Sequence, residues 1–199
     1  MHIDILVAQP EHTVYAQPIC DLIEESAKAR GTGIAKREAA YVEEKMLTGK
    51  AVIALVDGEI AGFSYIETWS HGNYVANSGL IVNPKFRRLG LARKIKKAVF
   101  ELSRKKYPEA RIFGITTSLP VMKINSDLGY KPVTFSELTQ DDAFWNGCKT
   151  CPNHDILMRN DRKMCLCTAM MALSAKEAKE KKLAKLEKKR EKIEKKMGG

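Results

Sequence analysis

No run of apolar residues in this 199-residue chain approaches the roughly 18 that a membrane-crossing helix needs. The N-terminus lacks a basic patch followed by an apolar stretch, so it does not read as a secretory leader, and a soluble, cytoplasmic protein without membrane contact is expected. Cysteine is scarce at five residues, and four of them crowd between Cys148 and Cys167. That layout suggests a metal site as readily as disulfides. Aromatic residues are missing from 174–199, where charge is densest. A nucleic-acid surface interleaves aromatics with its cations, so a nucleic-acid partner is not expected.

What is present fits one domain with an appendage. The length suffices for a single sizeable core and is short for two. The net charge of +10 is uneven: from Ser174 onward 11 Lys/Arg stand against 5 Asp/Glu, or +6, which leaves +4 for the remainder. A globular unit over 1–173, with a cysteine-bearing insert at 148–167, and a Lys/Glu-rich helical tail over 174–199 are therefore expected. In the tail, Leu183, Leu186, Ile193 and Met197 have heptad-like spacing, but Arg190 interrupts them. Two imperfect heptads do not define a coiled coil. A solvated helix and a contact for an acidic partner stay open.

The chain opens with a strand pattern over His2 to Ala8. A helix follows with Tyr15, Ile19, Leu22, Ile23 and Ala27 on one face, begun or bent at Pro18 and ended by the turn at Gly31, Thr32 and Gly33. A second helix is expected over Glu38 to Leu47. Ala51 to Val56 and Ile60 to Trp69 flank Asp57 and Gly58, the strongest hairpin signal in the chain. His71 to Asn73 turns into a strand over Tyr74 to Val82, with a bulge expected at Asn77, Ser78 and Gly79. Further on come a helix from Leu89 to Lys106, a strand from Arg111 to Thr117 and a helix from Pro120 to Leu128. Strands over Lys131 to Phe135 and Lys163 to Met170 close the pattern, with a helical turn at Asp141 to Trp145 between them.

The most informative stretch runs from Tyr74 to Lys97. Its strand breaks at Asn83 and Pro84, a short basic loop follows, and a helical pattern with Leu91, Ile95, Val99 and Leu102 begins after Gly90. At such a helix start the backbone N–H groups of 87–92 lack intrahelical partners. With the helix dipole and Arg87 and Arg88 they form a site for a phosphate-bearing ligand. The register of strand, Asn-Pro break and Arg-x-x-Gly-x-Ala at Arg87, Gly90 and Ala92 resembles the acyl-CoA-binding motif of the GNAT family of N-acetyltransferases. The element order β-α-α-β-β-β-α-β-α-β-β agrees with that family over about residues 1–170.

The resemblance implies a mixed α/β fold. Its central sheet would be mostly antiparallel and flanked by helices, with a V-shaped splay between strands 4 and 5. It also implies that Arg87, Arg88, Leu89, Gly90, Leu91 and Ala92 hold the pyrophosphate of acetyl-CoA or another acyl-CoA, and that N–H groups around Ile81 and Val82 bind the thioester oxygen. The family chemistry is attack by a neutral amine on the thioester carbon. It requires a base for the amine and a proton for the departing thiolate. Glu67 is the candidate base, with His71 second. Many family members carry a tyrosine as the acid where this chain has Asn125, and asparagine donates no proton; Tyr130 or Tyr65 would have to take its place, or the sulfur leaves as a thiolate held by hydrogen bonds.

A narrower resemblance lies in Ile112 to Thr117, in Gly129 to Val133 and in Ser136 to Leu138. These segments look like the acetyltransferase domain of N-acetylglutamate synthases, although no proline follows Leu138. It implies glutamate as the acceptor and a place in arginine biosynthesis. Arg30, Lys36 and Arg37 would then grip its carboxylates. Protein lysines or N-termini as acceptors, and a non-catalytic acyl-CoA-binding or zinc-binding module, remain alternatives. The spacing Cys148-x-x-Cys151 and Cys165-x-Cys167 is compatible with structural zinc, with the latter pair on one strand face, or with four reduced thiols. The oligomeric state, a homodimer included, stays open.

Overall fold

Asp57 and Gly58 have φ of 49° and 83°, the two positive values a tight hairpin turn requires. They join β2 (Ala51–Val56) to β3 (Glu59–Trp69). This hairpin lies in the first half of the sheet in the computed structural model, which describes residues 1–30 and 35–197. Along β2, Ala51, Ile53 and Leu55 face one helical layer, while Val52, Ala54 and Val56 face the other. Successive strand side chains point to opposite faces, and every residue of β2 is buried. A run that is apolar throughout therefore marks a strand covered on both sides.

The first layer comprises α1 (Ala16–Arg30) and α2 (Ala39–Leu47). Ile19, Ile23, Val42 and Met46 close against Ile53, Phe63 and Tyr65. The second is α3 (Leu91–Lys106), whose Leu91, Ile95 and Val99 pack on the opposite face. Strands β1 (Ile3–Val7), β4 (Tyr74–Val82), β5 (Arg111–Thr116), β6 (Lys131–Val133) and β7 (Thr168–Ala172) complete a seven-stranded sheet in the order β1-β2-β3-β4-β5-β7-β6. Its one parallel pair is β4 with β5. The second half of the sheet is covered by an aromatic cluster of Phe113, Phe135 and Trp145, supported by Leu138 and Leu157.

The expected splay is present. Pairing between β4 and β5 covers only Tyr74 to Ala76 against Arg111 to Phe113, and β5 continues on its other side along β7 as far as Thr116. The bulge lies on β4. Phe63 opposes Ile81 and Tyr65 opposes Ser78, so Gly79 and Leu80 face the single residue Ser64. Gly79 has φ of 66°, and a Cβ there would stand 2.5 Å from the Tyr65 ring.

Three expectations are corrected. The last strand is Thr168–Ala172 rather than 163–170, because its ladder is set by β5 and ends where Thr168 meets Thr116. Cys165 and Cys167 therefore precede the strand instead of sharing its face. Two further helices, α4 (Leu119–Asp127) and α5 (Asp142–Asn146), fall where helix was expected, but α6 (His154–Arg159) had no counterpart in the pattern. The turn at Gly31, Thr32 and Gly33 lies outside the described residues. The tail forms α7 (Ala175–Met197), tied at its first turn by Glu177 accepting from Arg111 Nε at 3.0 Å and by the Lys176 N–H donating to Pro108 O at 3.1 Å.

Replacing Gly79 by alanine combines a disfavoured φ with a ring contact no Cβ tolerates. A loss of roughly 1–3 kcal/mol in urea-measured stability is expected, whereas Gly58→Asn in the open hairpin turn should change stability by less than about 1 kcal/mol.

Candidate active site

Asn83 and Pro84 stop β4, and the Asn83 side chain accepts from the Lys85 N–H at 3.0 Å, which fixes a single turn of 3-10 helix. Arg88 and Gly90 then take φ of 69° and 71°. These two left-handed residues swing the chain into α3, and no side chain caps the helix. The Arg87 N–H is taken by Pro84 O at 3.3 Å, and the Lys94 N–H is the next in this stretch to find a carbonyl, Gly90 O at 3.2 Å. The unengaged backbone donors are therefore those of 88–93, one residue further along than expected. Open space surrounds Gly90 on the side where a Cβ would stand. A row of free N–H groups at a helix start with two exposed arginines beside it fits a diphosphate.

Beyond Ala76 the facing edges of β4 and β5 have no strand partner on the inner side of the wedge. The wedge opens into a cavity of about 500 Å³ bounded by Asn77 to Ile81 on one strand and by Phe113 to Thr117 on the other. Edge N–H groups of β4 thus border a slot between two strands, the setting in which a carbonyl oxygen gaining charge can be held without a dedicated side chain.

Arg37, Tyr41, Tyr65 and Glu67 line the far side of the same cavity. Glu67 is half-buried and accepts from Tyr41 Oη at 2.7 Å, and its carboxylate lies 2.5 Å from Lys45 Nζ. Burial pushes the Glu67 carboxyl up, but hydrogen bonds from Lys45 and Tyr41 and the charges of Lys45 and Lys50 outweigh it, so the group stays below its ordinary value. Burial likewise opposes the Lys45 charge, and Glu44 and Glu67 more than restore it. Arg37 donates from Nε to Tyr65 Oη at 2.8 Å and from Nη1 to the carbonyls of Ala35 and Lys36. No carboxylate of the described residues pairs with it.

The wedge floor holds a group that no sequence motif marks. Lys96 of α3 is 2% exposed, lines the cavity, and donates from Nζ to Asn77 O at 3.4 Å. Burial alone drops its pKa to about 7. The Asn77 side chain is engaged by Tyr130 Oη and Ser103 Oγ, both at 2.7 Å. The one visible signal is positional: Lys96 sits four residues after Ala92 and three before Val99, inside the apolar stripe of its helix. Lys45 lies between Val42 and Met46 in the same way.

The expected site residues divide clearly. Glu67, Ile81, Lys36, Arg37, Asn125 and all four clustered cysteines line the cavity. Val82 and 87–92 lie past its end along the chain. His71 stands in an exposed turn outside the cavity wall with φ of 55°. Tyr130 is fully buried behind Asn77, where burial raises its phenol well above the ordinary value, a poor position and poor acidity for protonating a thiolate in the slot. The Arg30 side chain is outside the described residues.

Of the two readings open for the cysteines, structural zinc finds no support. Among the described residues no three His, Cys, Asp or Glu side chains are grouped to hold a metal ion. All four are free thiols of intermediate exposure, and Cys148, Cys165 and Cys167 pack against the aromatic cluster. Burial, with the neighbouring cysteines, pushes Cys148 up to about 11 and Cys167 to about 12.

Residues 23–120 match the acetyltransferase (GNAT) family. No curated protein sequence matches the chain. Among solved structures, the N-acetylglutamate synthase of Neisseria gonorrhoeae, complexed with coenzyme A and N-acetyl-glutamate, superposes with a TM-score of 0.63 at 16% identity over 87% of this chain and 35% of its own. Rv2747 of Mycobacterium tuberculosis, in complex with CoA, gives 0.61 at 13% identity, covering 85% and 98%. The ribosomal-protein-S18-alanine N-acetyltransferase of Escherichia coli gives 0.56 at 11% identity, covering 87% and 95%. This chain spans about a third of the synthase's length. At these identities the likeness establishes the fold.

Glu67→Gln removes the charge that Lys45 faces across the cavity wall and is expected to cost roughly 1–3 kcal/mol at neutral pH. The folded state lowers the Glu67 pKa and raises that of Lys45. The pair's contribution is therefore present from above the ordinary carboxylate value of 4.5 to below the ordinary lysine value of 10.5, and it fades outside that window. Denaturant titrations of wild type and variant should converge as the pH falls below 4.5.

Proposed function

Because this chain belongs to the acetyltransferase (GNAT) family, we propose that it transfers an acetyl or succinyl group from an acyl-CoA to the amine of a small, carboxylate-bearing acceptor, with the α-amine of glutamate as the first candidate. The observation that carries the acceptor class is Arg37, a guanidinium on the cavity wall without a carboxylate of its own among the described residues. The Neisseria synthase, whose fold this chain shares, binds N-acetyl-glutamate.

In this reading residues 1–173 form the catalytic unit. The donors of 88–93 with Arg87 and Arg88 hold the acyl-CoA diphosphate, and its acyl end enters the wedge. Edge N–H groups near Ile81 face the carbonyl oxygen as it gains charge. Arg37, backed by Tyr41 and Tyr65 and seconded by Lys36, grips the acceptor carboxylate. Glu67, ionised and held in place by Lys45 and Tyr41, attracts the acceptor ammonium and relays its proton to solvent as the amine attacks. Its lowered pKa suits transient acceptance rather than storage. His71, outside the cavity, has no part in this scheme.

Thiol release from acetyl-CoA and from succinyl-CoA, measured with each of the twenty amino acids, tests this reading. Glutamate should give the highest turnover. Arg37→Ala should lower kcat/KM for glutamate by about 10- to 100-fold, as expected for loss of a charged hydrogen bond of about 1.5–3 kcal/mol, while leaving acyl-CoA affinity unchanged. Turnover with lysine peptides but with no amino acid would assign a protein acetyltransferase instead. Acyl-CoA binding without any turnover would assign a binding module.

A further inference from the structure

A lysine ammonium carries three donors. In the floor of the wedge the Lys96 Nζ has one long hydrogen bond, to Asn77 O at 3.4 Å, and lies 5.3 Å from the centroid of the Tyr130 ring. The Asn77 side chain is turned to other partners, its oxygen accepting from Tyr130 and its nitrogen donating to Ser103. No carboxylate of the described residues pairs with it. Gly114 on β5 lies beside it, since even a Cβ built there would stand 3.9 Å from the same nitrogen, in ordinary contact. Asn125 lines the cavity too, and its Oδ1 is buried without a partner. Thus Asn125 presents no acid, while a buried cation with unused protons opens into the slot between β4 and β5.

We propose that Lys96 is the acid of the reaction, giving a proton to the sulfur of the departing coenzyme A. The role rests on the acyl-CoA reading above. The acceptor nitrogen bonds to the thioester carbon and loses its proton towards Glu67 and solvent. As the tetrahedral adduct collapses, the carbon–sulfur bond breaks with its electron pair on sulfur, which takes a proton from Nζ. The neutral amine of Lys96 is then recharged from water, and amide and free thiol leave.

The acidity matches the task. A thiol has an ordinary pKa of about 8.5, so an ammonium of about 7 donates downhill to a thiolate. The groups facing Lys96 do not complicate its titration. Tyr130 is held neutral by burial, Asn77 and Gly114 do not titrate, and Arg104 of the same helix lies over the Phe100 ring instead.

The tests are Lys96→Met and Lys96→Gln in the full chain. The wild-type kcat should fall as the pH rises through about 7. Both variants should lose that limb, with kcat lowered by roughly 10²- to 10⁴-fold and KM for acyl-CoA changed by less than about threefold. Independently of turnover, the Lys96 side-chain NMR signal of the ligand-free protein should titrate near pH 7. Its wild-type folding stability should rise between pH 7 and the ordinary lysine value of 10.5, because the unfolded chain binds the extra proton there, and Lys96→Met should abolish that rise. A purely structural lysine would alter stability but leave the kcat limb in place. An active wild type matched by both variants overturns the role alone, as does a Lys96 signal titrating near 10.5. A wild type that binds acyl-CoA yet acylates no amine overturns the proposed function, and this role with it.

Discussion

A parallel ladder only three residues long governs this molecule. Tyr74 to Ala76 meet Arg111 to Phe113 and then the strands part. Two local features enforce the parting. The bulge at Gly79 and Leu80 turns β4 away, and just past the last paired residue the Asn77 carbonyl accepts from Lys96 Nζ instead of from a residue of β5. On its other side β5 stays paired with β7 to its end, so the sheet opens along one seam without losing continuity. Backbone groups left without a strand partner are costly unless something else meets them, and a seam of this kind is where a ligand's own amides can do so.

Two buried lysines show how differently the fold treats a cation. Lys45 faces Glu44 and Glu67, each 2.5 Å away, and the pair holds its charge. Lys96 is as deeply buried with no countercharge, and its proton is correspondingly loose. Removing a charge from water costs several kcal/mol when nothing offsets it. The Lys45 cluster behaves as a positioning device for the Glu67 carboxylate. The uncompensated ammonium beside the Tyr130 ring costs stability most where it is fully charged.

Much of the architecture is legible in the chain itself. Periodicity in β2, the turn at Asp57 and Gly58, the bulge around Gly79 and the helix start after Gly90 are local signals backed by local physics, and each lies within two residues of its expected place. The helix-start loop proposed to hold the acyl-CoA diphosphate is legible because it is one continuous stretch. The remaining site is not, since it is assembled across elements. Tyr41 and Lys45 reach Glu67 from α2, and Lys96 reaches the wedge from the far face of β4. Cys165 and Cys167 mislead because Met164 to Cys167 alternate like a strand, while Met164 and Leu166 are in fact more than half exposed and the ladder begins only at Thr168. His71 and Tyr130 are residue types suited to proton transfer, but tertiary packing sets both outside the slot and burial makes the Tyr130 phenol a weaker acid.

The attachment of α7 has a geometric corollary. Arg111 and Glu177 clasp the helix to the beginning of β5, whereas the cavity opens at that strand's other end. Arg111 lies two residue steps from Phe113, where the cavity wall begins, and five from Thr116 at the strand's end, roughly 17 Å. The lysine-rich helix is therefore anchored where β4 and β5 are still paired, away from the end at which those strands part.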